Sequence, residues 1–405
     1  MTILEKTSSL LSGIRVIDLS RVLAGPFMTM VLGDMGADVI KIEKPIDGDD
    51  TRSWGPPFCG NESAYFLSVN RNKRSVVVDL KRKEGVKIIT DLVKDSDVFV
   101  ENYVPGKMDK FGLGYDKLKK INPGLVYCSI SGFGPEGPYA HRPGYDVIAA
   151  SYGGLNYITG PEDGEPCKSG VAMTDLCTGL YGQGAILAAL MKKRETGLGQ
   201  KIDCDLLSSQ IATLVNISSS YLNAGIEAKR WGTAHASIVP YQSFKTKDGK
   251  YVTVGATTNK QFNDLCDKMK LEHVSTDPRF ADNAKRVKNR ESLLPILKKS
   301  FLDKDCEDWL FIFEDSTFPY GPVNNMEQVF SDPHVLHTNR VLEFDHPTAG
   351  KGCKVTAPAV KFSNYEYPKI LPPPTLGQHT KEVLRDLLDM SEFEIDKLTR
   401  NGVVT

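Results

Sequence analysis

Long apolar runs and an excess of charge of either sign are both missing from this 405-residue sequence. No stretch approaches the ~18 apolar residues that a membrane-spanning helix requires, so we predict no membrane segment. The 50 Lys and Arg residues almost balance 51 Asp and Glu residues, which leaves a net charge of -1. This balance argues against a protein whose main role is to bind nucleic acid or an anionic membrane.

Cysteine and histidine are sparse, and neither residue forms a recognisable metal-binding motif. The eight cysteines include no C-x-x-C pair, and the seven histidines include no H-E-x-x-H motif. The only close histidine pair, His334 and His337, we interpret as surface residues rather than metal ligands. The cysteines are too few for a disulfide scaffold and no secretory leader is evident, which favours a reducing compartment.

Nucleotide-binding and hydrolase signatures are also lacking. No G-x-x-x-x-G-K-S/T motif and no G-x-S-x-G motif occurs. A G-x-G-x-x-G pattern begins at Gly132, but Pro138 follows it at once, so we interpret this stretch as a loop. A P-loop nucleotidase, a nicotinamide dehydrogenase and a serine hydrolase are therefore disfavoured.

The first half of the sequence alternates strand-like and helix-like segments. We predict strands at residues 14–19, 38–43, 75–80, 97–102 and 125–130. Strands separated by helices indicate βαβ units, so we predict an α/β fold with a Rossmann-like, largely parallel sheet. Ligands of such sheets bind beyond the carboxyl ends of the strands.

The second half indicates a change of architecture. A helix rich in small residues is predicted at about 175–193, and a single long helix at 205–222. A hairpin across 240–254 and the helices that follow it indicate a smaller α+β domain. We therefore predict a large domain at 1–225, completed by 326–405, and a small domain at 226–325.

Asp175 is the residue that we single out for chemistry. It lies between a Gly-containing loop and the start of the small-residue helix. The ordinary interpretation is a helix N-cap. The functional interpretation is that the positive helix end keeps its carboxylate ionised, ready to act as a nucleophile. Spacing alone does not decide between the two.

Several stretches, in order along nearly the whole chain, resemble the class III CoA-transferases, the family of formyl-CoA transferase and the carnitine CoA-transferase. The matching stretches are residues 16–19, 24–26, 32–43, 70–75, 100–106, 131–134, 170–176 and 376–380. Further stretches, at 48–58, 230–241 and 320–326, resemble members of the family that use succinyl-CoA and glutarate or 3-hydroxy-3-methylglutarate.

The resemblance implies that Asp175 is the catalytic aspartate. Its carboxylate would attack an acyl-CoA thioester and form an acyl–aspartyl anhydride, which the released CoA thiolate converts into an aspartyl-CoA thioester. The acceptor carboxylate then attacks this thioester, and CoA returns to the new acyl group. The CoA thioester is a substrate, and no metal or tightly bound cofactor is expected. The resemblance also implies an interlocked, ring-like homodimer and a mitochondrial matrix location, with the cytoplasm as the alternative.

The resemblance assigns binding residues as well. The CoA contacts carry over to Val22, Leu23, Ala24, Lys44, Val78, Asp79, Leu80, Lys81, Asn102, Tyr103 and Lys110. The family often has Arg at the positions of Lys44 and Lys110, where Lys keeps the charge but cannot bind phosphate with a bidentate fork. A dicarboxylate acceptor needs a cation for its distal end. The candidates for this cation are Arg21, Arg52, Arg142 and His235.

Three alternatives remain open. The same fold hosts α-methylacyl-CoA racemases, but their G-H-D histidine is replaced here by Tyr145, and tyrosine is a poor base near neutral pH. Another class III enzyme, such as formyl-CoA:oxalate CoA-transferase, would keep the same chemistry with other acids. A CoA-binding module without turnover is disfavoured by the intact Asp175 segment.

Overall fold

The computed structural model describes residues 9–405, which divide into two compact units. The first unit comprises the described residues up to Leu155 together with Ser169–Ile226 and Asn339–Thr405, and the second comprises Asn156–Lys168 and Glu227–Thr338. Segments 156–168 and 326–338, which the sequence analysis assigned to the large domain, group with the second unit. Segment 156–168 belongs to the second unit because it contacts residues that are distant in sequence: Arg230 Nε donates to the Gly164 carbonyl at 3.0 Å. The predicted domain division itself stays a prediction.

Both units combine strands with helices. In chain order the strands are β1 Arg15–Asp18, β2 Asp38–Glu43, β3 Phe58–Cys59, β4 Glu62–Ser63, β5 Lys73–Val77, β6 Val98–Glu101, β7 Val126–Ser131, β8 Lys201–Asp205, β9 Tyr241–Lys245, β10 Tyr251–Gly255, β11 Tyr320–Pro322, β12 Val341–His346 and β13 Gly350–Thr356. The helices are α1 Ala24–Asp34, α2 Ala64–Val69, α3 Lys83–Lys94, α4 Lys107–Phe111, α5 Tyr115–Ile121, α6 Asp146–Tyr152, α7 Leu155–Ile158, α8 Met173–Thr196, α9 Leu206–Ala212, α10 Asn216–Ala224, α11 Asn259–Lys268, α12 Glu272–Ser275, α13 Asn283–Lys288, α14 Arg290–Phe301, α15 Cys306–Ile312, α16 Met326–Ser331, α17 Pro333–His337, α18 Thr380–Leu388 and α19 Glu392–Arg400, with a short 3-10 turn at Asp50–Ser53.

A six-stranded parallel sheet forms the centre of the first unit. Its spatial order is β5-β2-β1-β6-β7-β8, and every pairing is parallel. This is the strand order of a Rossmann fold, so the predicted fold class is confirmed. The order reverses between β1 and β6, and a ligand of such a sheet binds in the crevice at that switch point.

Two apolar layers cover the faces of this sheet, because successive strand residues point to opposite sides. Ile17 of β1 packs in one layer with helices α3, α18 and α19. Val16, its neighbour, packs in the other layer with α1 and α8. The sequences of the central strands are therefore continuous apolar runs, which is why the strands are recognisable in the sequence.

The small residues of α8 allow it to lie close to α1. A Cβ added at Gly179 would lie 2.8 Å from the carbonyl oxygen of Ala24, and one at Gly182 would lie 2.6 Å from the sulfur of Met28. Only glycine fits at such an approach. The start of α8, and with it Asp175, is thereby held beside the loop between β1 and α1.

Two predictions from the sequence were wrong in detail. The single helix predicted at 205–222 is two helices, α9 and α10, separated where Val215 adopts a positive φ of 44°. Asp205 is the N-cap of α9 and accepts from the Ser208 N–H at 2.7 Å. The strand β8 was missed, because its Lys-Ile-Asp-Cys-Asp sequence forms a half-exposed edge with no apolar run.

The second unit contains a three-stranded antiparallel sheet in the order β11-β10-β9. The hairpin of β9 and β10 was predicted, whereas the three-residue β11 was not. Its core includes Phe244 stacked on Phe301 at 4.5 Å between ring centroids. The histidine pair lies on the exposed surface of short α17.

Residues 9–405 contain neither a membrane-spanning helix nor a cluster of metal-ligating side chains. Within this range no helix is both long and apolar enough to cross a bilayer. The same residues bring together no group of three potential metal-ligating side chains.

Candidate active site

A cavity of about 170 Å³ opens at the switch point of the parallel sheet. It is lined by residues 21–24 after β1, 102–105 after β6, 130–132 at the end of β7, 142–145, Asp50, Asp175 and Leu206. These segments are far apart in sequence and meet because parallel strands end at one edge of the sheet.

The loop after β1 is held in an uncommon conformation. Val22 has a φ of 72°, which is rare for a β-branched residue. Asn102 binds both backbone polar groups of the preceding residue, Arg21: its Oδ1 accepts from the Arg21 N–H at 2.9 Å, and its Nδ2 donates to the Arg21 carbonyl at 2.7 Å. The Val22 N–H donates to Asp49 at 3.2 Å. The cavity wall at 21–24 is therefore fixed by side chains outside the loop.

Buried ion pairs lie beneath this loop. Lys41 Nζ donates to Asp49 at 2.8 Å and to the Ser20 carbonyl at 2.9 Å, and both charged side chains are fully buried. Burial alone would raise the pKa of Asp49, but the Lys41 ammonium holds it at about 2. A second buried pair joins Lys73 and Asp18 at 3.2 Å. Charges withdrawn from water this completely fix their partners in one arrangement.

Asp175 lies in the first turn of α8 and is 9% exposed. The N-cap interpretation was wrong: Ala172 is the N-cap, and it supplies no side-chain acceptor. Asp146, from the start of α6, fills that role. Its Oδ2 accepts from the backbone N–H of Thr174 at 2.9 Å and of Asp175 at 3.2 Å.

Asp146 reaches α8 through a close approach of two glycines. A Cβ added at Gly132 would lie 2.6 Å from the Cα of Gly144, so the segment before α6 lies directly against the end of β7. Sequence spacing gives no sign of this contact, because Asp146 and Asp175 are 29 residues apart. The requirement for glycine at both positions is visible only in three dimensions.

The surroundings of Asp175 disfavour its ionised form. Burial raises its pKa, and the neighbouring charge of Asp146 raises it further, to about 7. No described residue donates a hydrogen bond to the Asp175 carboxylate. The expectation that the helix end stabilises this carboxylate was wrong, because Asp146 accepts from the N–H groups that would have done so.

Comparisons with known proteins show the family to which the chain belongs. The family model described as CoA-transferase family III matches residues 11–380. The chain belongs to CoA-transferase family III. Succinyl-CoA:glutarate CoA-transferase of Mus musculus is 53% identical over 394 residues, covering 97% of this chain and 90% of that protein. Succinate--glutarate CoA-transferase of Agrobacterium fabrum is 42% identical over 398 residues, covering 96% of this chain and 98% of that protein.

A solved structure agrees as well. The crystal structure of a CAIB/BAIF family protein from Brucella suis superposes with a TM-score of 0.85 at 39% identity. The match covers 94% of this chain and 100% of that one. The family assignment made from sequence motifs is confirmed, and the protein is a CoA-transferase.

The residues expected to contact CoA do not all lie in one place. Val22, Leu23, Ala24, Asn102 and Tyr103 line the cavity of Asp175. Leu80, Lys81 and Lys110 line a separate groove of about 570 Å³, together with the cations Arg82, Lys83, Lys87 and Lys117. Lys44 lies in neither, and its ammonium pairs with Asp50 at 2.9 Å.

The groove lined by Leu80, Lys81 and Lys110 is called the basic groove below. Val78 and Asp79 come just before Leu80 in the sequence but do not line this groove. The side chain of Val78 is buried in the core below the sheet. The Asp79 carboxylate accepts from the Lys81 N–H at 2.9 Å. These two residues therefore shape the backbone ahead of Lys81.

The four cations considered for the acceptor differ in their surroundings. Arg21 and Arg142 line the cavity with Asp175. Arg52 instead makes a bidentate pair with Glu43, with both contacts at 2.7 Å, and stacks on Phe66. His235 belongs to the second unit, where its Nδ1 accepts from the Ser237 N–H at 3.0 Å.

Replacement of Asp175 by Asn is expected to stabilise the protein at pH 8 more than at pH 5. The folded-state pKa of about 7 lies above the ordinary 3.8, so the folded form holds a proton that the unfolded chain releases. Stability from this group is complete below pH 3.8 and is lost as pH rises through 7. Asn does not ionise and therefore loses no stability as the pH rises. At pH 8 the free energy of unfolding of Asp175→Asn should exceed that of the parent by on the order of 2–4 kcal/mol.

Thermal or urea unfolding at both pH values measures this difference. The exposed Asp303→Asn change, which removes one charge elsewhere, is the control. An Asp175→Asn advantage that did not change with pH would contradict the assignment of a raised pKa.

Proposed function

We propose that this protein transfers CoA from succinyl-CoA to glutarate, releasing succinate and glutaryl-CoA, with 3-hydroxy-3-methylglutarate as an alternative acceptor. The observation that carries the proposal is the 53% identity, over 97% of the chain, to an enzyme named for this reaction. The bacterial relative named succinate--glutarate CoA-transferase supports the same pair of acids.

In the proposed mechanism Asp175 is the nucleophile. Its carboxylate oxygen attacks the succinyl thioester carbon, which forms an acyl–aspartyl anhydride and expels CoA thiolate. The thiolate attacks the aspartyl carbonyl and releases succinate, leaving an aspartyl-CoA thioester. Glutarate attacks that thioester to give a second anhydride and free thiolate, and thiolate attack on the glutaryl carbonyl yields glutaryl-CoA and free Asp175.

The surroundings of Asp175 suit these steps. Its oxygens accept no hydrogen bond from the described residues, so nothing has to be displaced before attack. The high degree of burial limits water near the anhydride, which water would hydrolyse. Activated acyl groups are exchanged at every step, and the route as written needs no metal and no tightly bound cofactor.

CoA would be held by the cavity wall and by the basic groove. Val22, Leu23 and Ala24 offer backbone and apolar contact near the thioester. Lys81 and Lys110 have no carboxylate partner among the described residues and lie where cations surround a groove. Unpaired lysines suit phosphate groups, and they act as point charges rather than bidentate forks.

Arg142 is the proposed partner of the acceptor's distal carboxylate. It stacks on Tyr139 at 4.1 Å and donates to the Tyr152 hydroxyl at 3.1 Å, but no carboxylate within residues 9–405 pairs with it. Arg21 lies in the same cavity, yet Asp50 at 3.3 Å already offsets its charge. A free guanidinium in the cavity of the nucleophile is the better site for an anionic substrate.

We also propose that the protein is an interlocked homodimer. Helices α8 and α10 expose large apolar side chains, with Met191 69% and Leu222 78% accessible, and Leu180, Tyr181 and Tyr221 each more than half accessible. An apolar surface of this extent marks an interaction site, and a second copy is the partner that we expect. Location in the mitochondrial matrix, with the cytoplasm as the alternative, stays a prediction.

The function is tested by incubating the protein with succinyl-CoA and glutarate and detecting glutaryl-CoA by mass. Hydroxylamine added during turnover should convert Asp175 into its hydroxamate, which peptide mapping locates. Asp175→Asn, verified by mass as not deamidated, should lose at least about 1000-fold in kcat. Asp303→Asn should keep parental activity. Turnover with an unmodified Asp175 would contradict the covalent route.

Arg142→Ala is expected to raise the KM for glutarate by about 10- to 100-fold, the loss of one charge-assisted contact. The KM for a monocarboxylate acceptor should stay within about threefold of its parental value. Arg194→Ala, an exposed arginine near the end of α8, is the matched control. Steady-state kinetics measure both constants, and an unchanged KM for glutarate would exclude Arg142 from this role.

The dimer is tested by light scattering and sedimentation. The expected mass is about twice 44.7 kDa, and it should persist on dilution because interlocked chains cannot separate without unfolding. A mass of 44.7 kDa at micromolar concentration would refute the proposal.

A further inference from the structure

Helix α8 begins without a cap of its own. Its N-cap residue, Ala172, has no acceptor side chain, although the first N–H groups of a helix need one. Asp146 supplies the acceptor from a different helix, with one carboxylate oxygen bound to two successive N–H groups, those of Thr174 and Asp175. The residue that is capped is the nucleophile itself.

We propose that Asp146 is a positioning residue for Asp175: it caps, from α6, the turn that carries the nucleophile, and it places a second negative charge beside it. This inference deepens the proposed function and rests on Asp175 being the nucleophile. Asp146 has no assigned part in the exchange of CoA.

The positioning effect of Asp146 is inferred from the contacts around the first turn of α8. Asp146 fixes the backbone of Thr174 and Asp175, while the Thr174 hydroxyl donates to Gln210 of α9 at 2.7 Å. Gly179 keeps α8 against α1 one turn later. The backbone that carries the Asp175 side chain is therefore fixed by Asp146, by Gln210 and by the packing of α8 against α1. The carboxylate needs no hydrogen bond of its own to stay in the cavity.

The charge effect of Asp146 depends on which carboxylate accepts from the backbone N–H groups at the start of α8. A carboxylate at a helix end is normally stabilised by those N–H groups and becomes a weaker base. Here Asp146 takes them. Asp175 is left without a donor and beside a like charge, and both conditions make its carboxylate more basic and more nucleophilic.

Other titratable groups around the pair do not reverse this effect. Burial, and then the charges of Asp175 and Asp146, raise the pKa of Tyr65 to about 12, so its hydroxyl stays neutral. Burial and Asp146 also raise the pKa of Cys177. Arg21 and Arg142 line the same cavity, but neither forms an ion pair with Asp146 or Asp175 within the described part of the chain.

Two substitutions separate the two effects. Asparagine at position 146 keeps an oxygen that can accept from both N–H groups, but it carries no charge. Alanine removes the acceptor and the charge together. The first change should alter only the basicity of Asp175, and the second should also loosen the turn.

The experiment compares the pH dependence of kcat/KM for succinyl-CoA, with glutarate saturating, in the full-length parent, Asp146→Asn, Asp146→Ala and Asp303→Asn. The activity of the parent should fall below about pH 7, where Asp175 takes up a proton. In Asp146→Asn this acid limb should move to lower pH by about one unit. Asp146→Ala should lose roughly 10- to 100-fold at every pH, a loss that Asn restores.

If the activity of Asp146→Asn falls at the same low pH as the activity of the parent, the charge role is overturned. Equal kcat/KM for Asp146→Ala and Asp146→Asn at high pH would overturn the positioning role. If the Ala variant fails to fold, the Asn profile decides the charge role, and Asp146→Ser, whose shorter side chain also removes the charge, takes the place of Ala in the test of positioning. Hydroxylamine trapping in the parent distinguishes failure of the proposed mechanism from failure of this inference. Turnover without modification at Asp175 removes the covalent route on which the inference rests, whereas modification with an unshifted Asn profile removes only the charge role of Asp146.

Discussion

The buried contact between Lys41 and Asp49 is the interaction on which the candidate site depends. Both side chains are fully withdrawn from water, and their attraction offsets the desolvation cost only because further hydrogen bonds satisfy them. Lys41 also binds the Ser20 carbonyl, and Asp49 binds the Val22 N–H. One ion pair therefore ties strand β2 and the 3-10 turn to the loop after β1, and the loop keeps a strained shape that it would not hold alone.

The strand order then determines what this loop meets. Because the sheet reverses between β1 and β6, the residues after those two strands face each other, and Asn102 holds the Arg21 peptide from across the crevice. Helix α8 enters the same place because its glycines let it lie against α1. The site is a consequence of the fold, and its candidate catalytic side chain, Asp175, is carried by a separate helix.

Much of this was predictable from the sequence, and the failures share one cause. The buried strands and the glycine-rich helix leave local patterns, and the motif around Asp175 identifies the candidate catalytic residue. The edge strand β8 leaves no apolar run. Asp146 leaves no local signal either, because its partners lie 28 and 29 residues away and are backbone N–H groups, which every residue has. The N-cap interpretation of Asp175 was wrong for the same reason, since the cap comes from another helix.

The ionisation of Asp175 links stability to reactivity. A carboxylate that is buried, unpaired and beside another carboxylate destabilises the folded protein near neutral pH, and the same conditions raise its basicity. Ordinary helix capping would remove both effects, because a hydrogen-bonded aspartate is more stable and a poorer nucleophile. In the proposed mechanism, the binding of the helix N–H groups by Asp146 keeps the turn rigid and leaves the Asp175 carboxylate reactive. The folded protein thus gives up stability at Asp175, where an unsatisfied carboxylate has a use in the proposed mechanism.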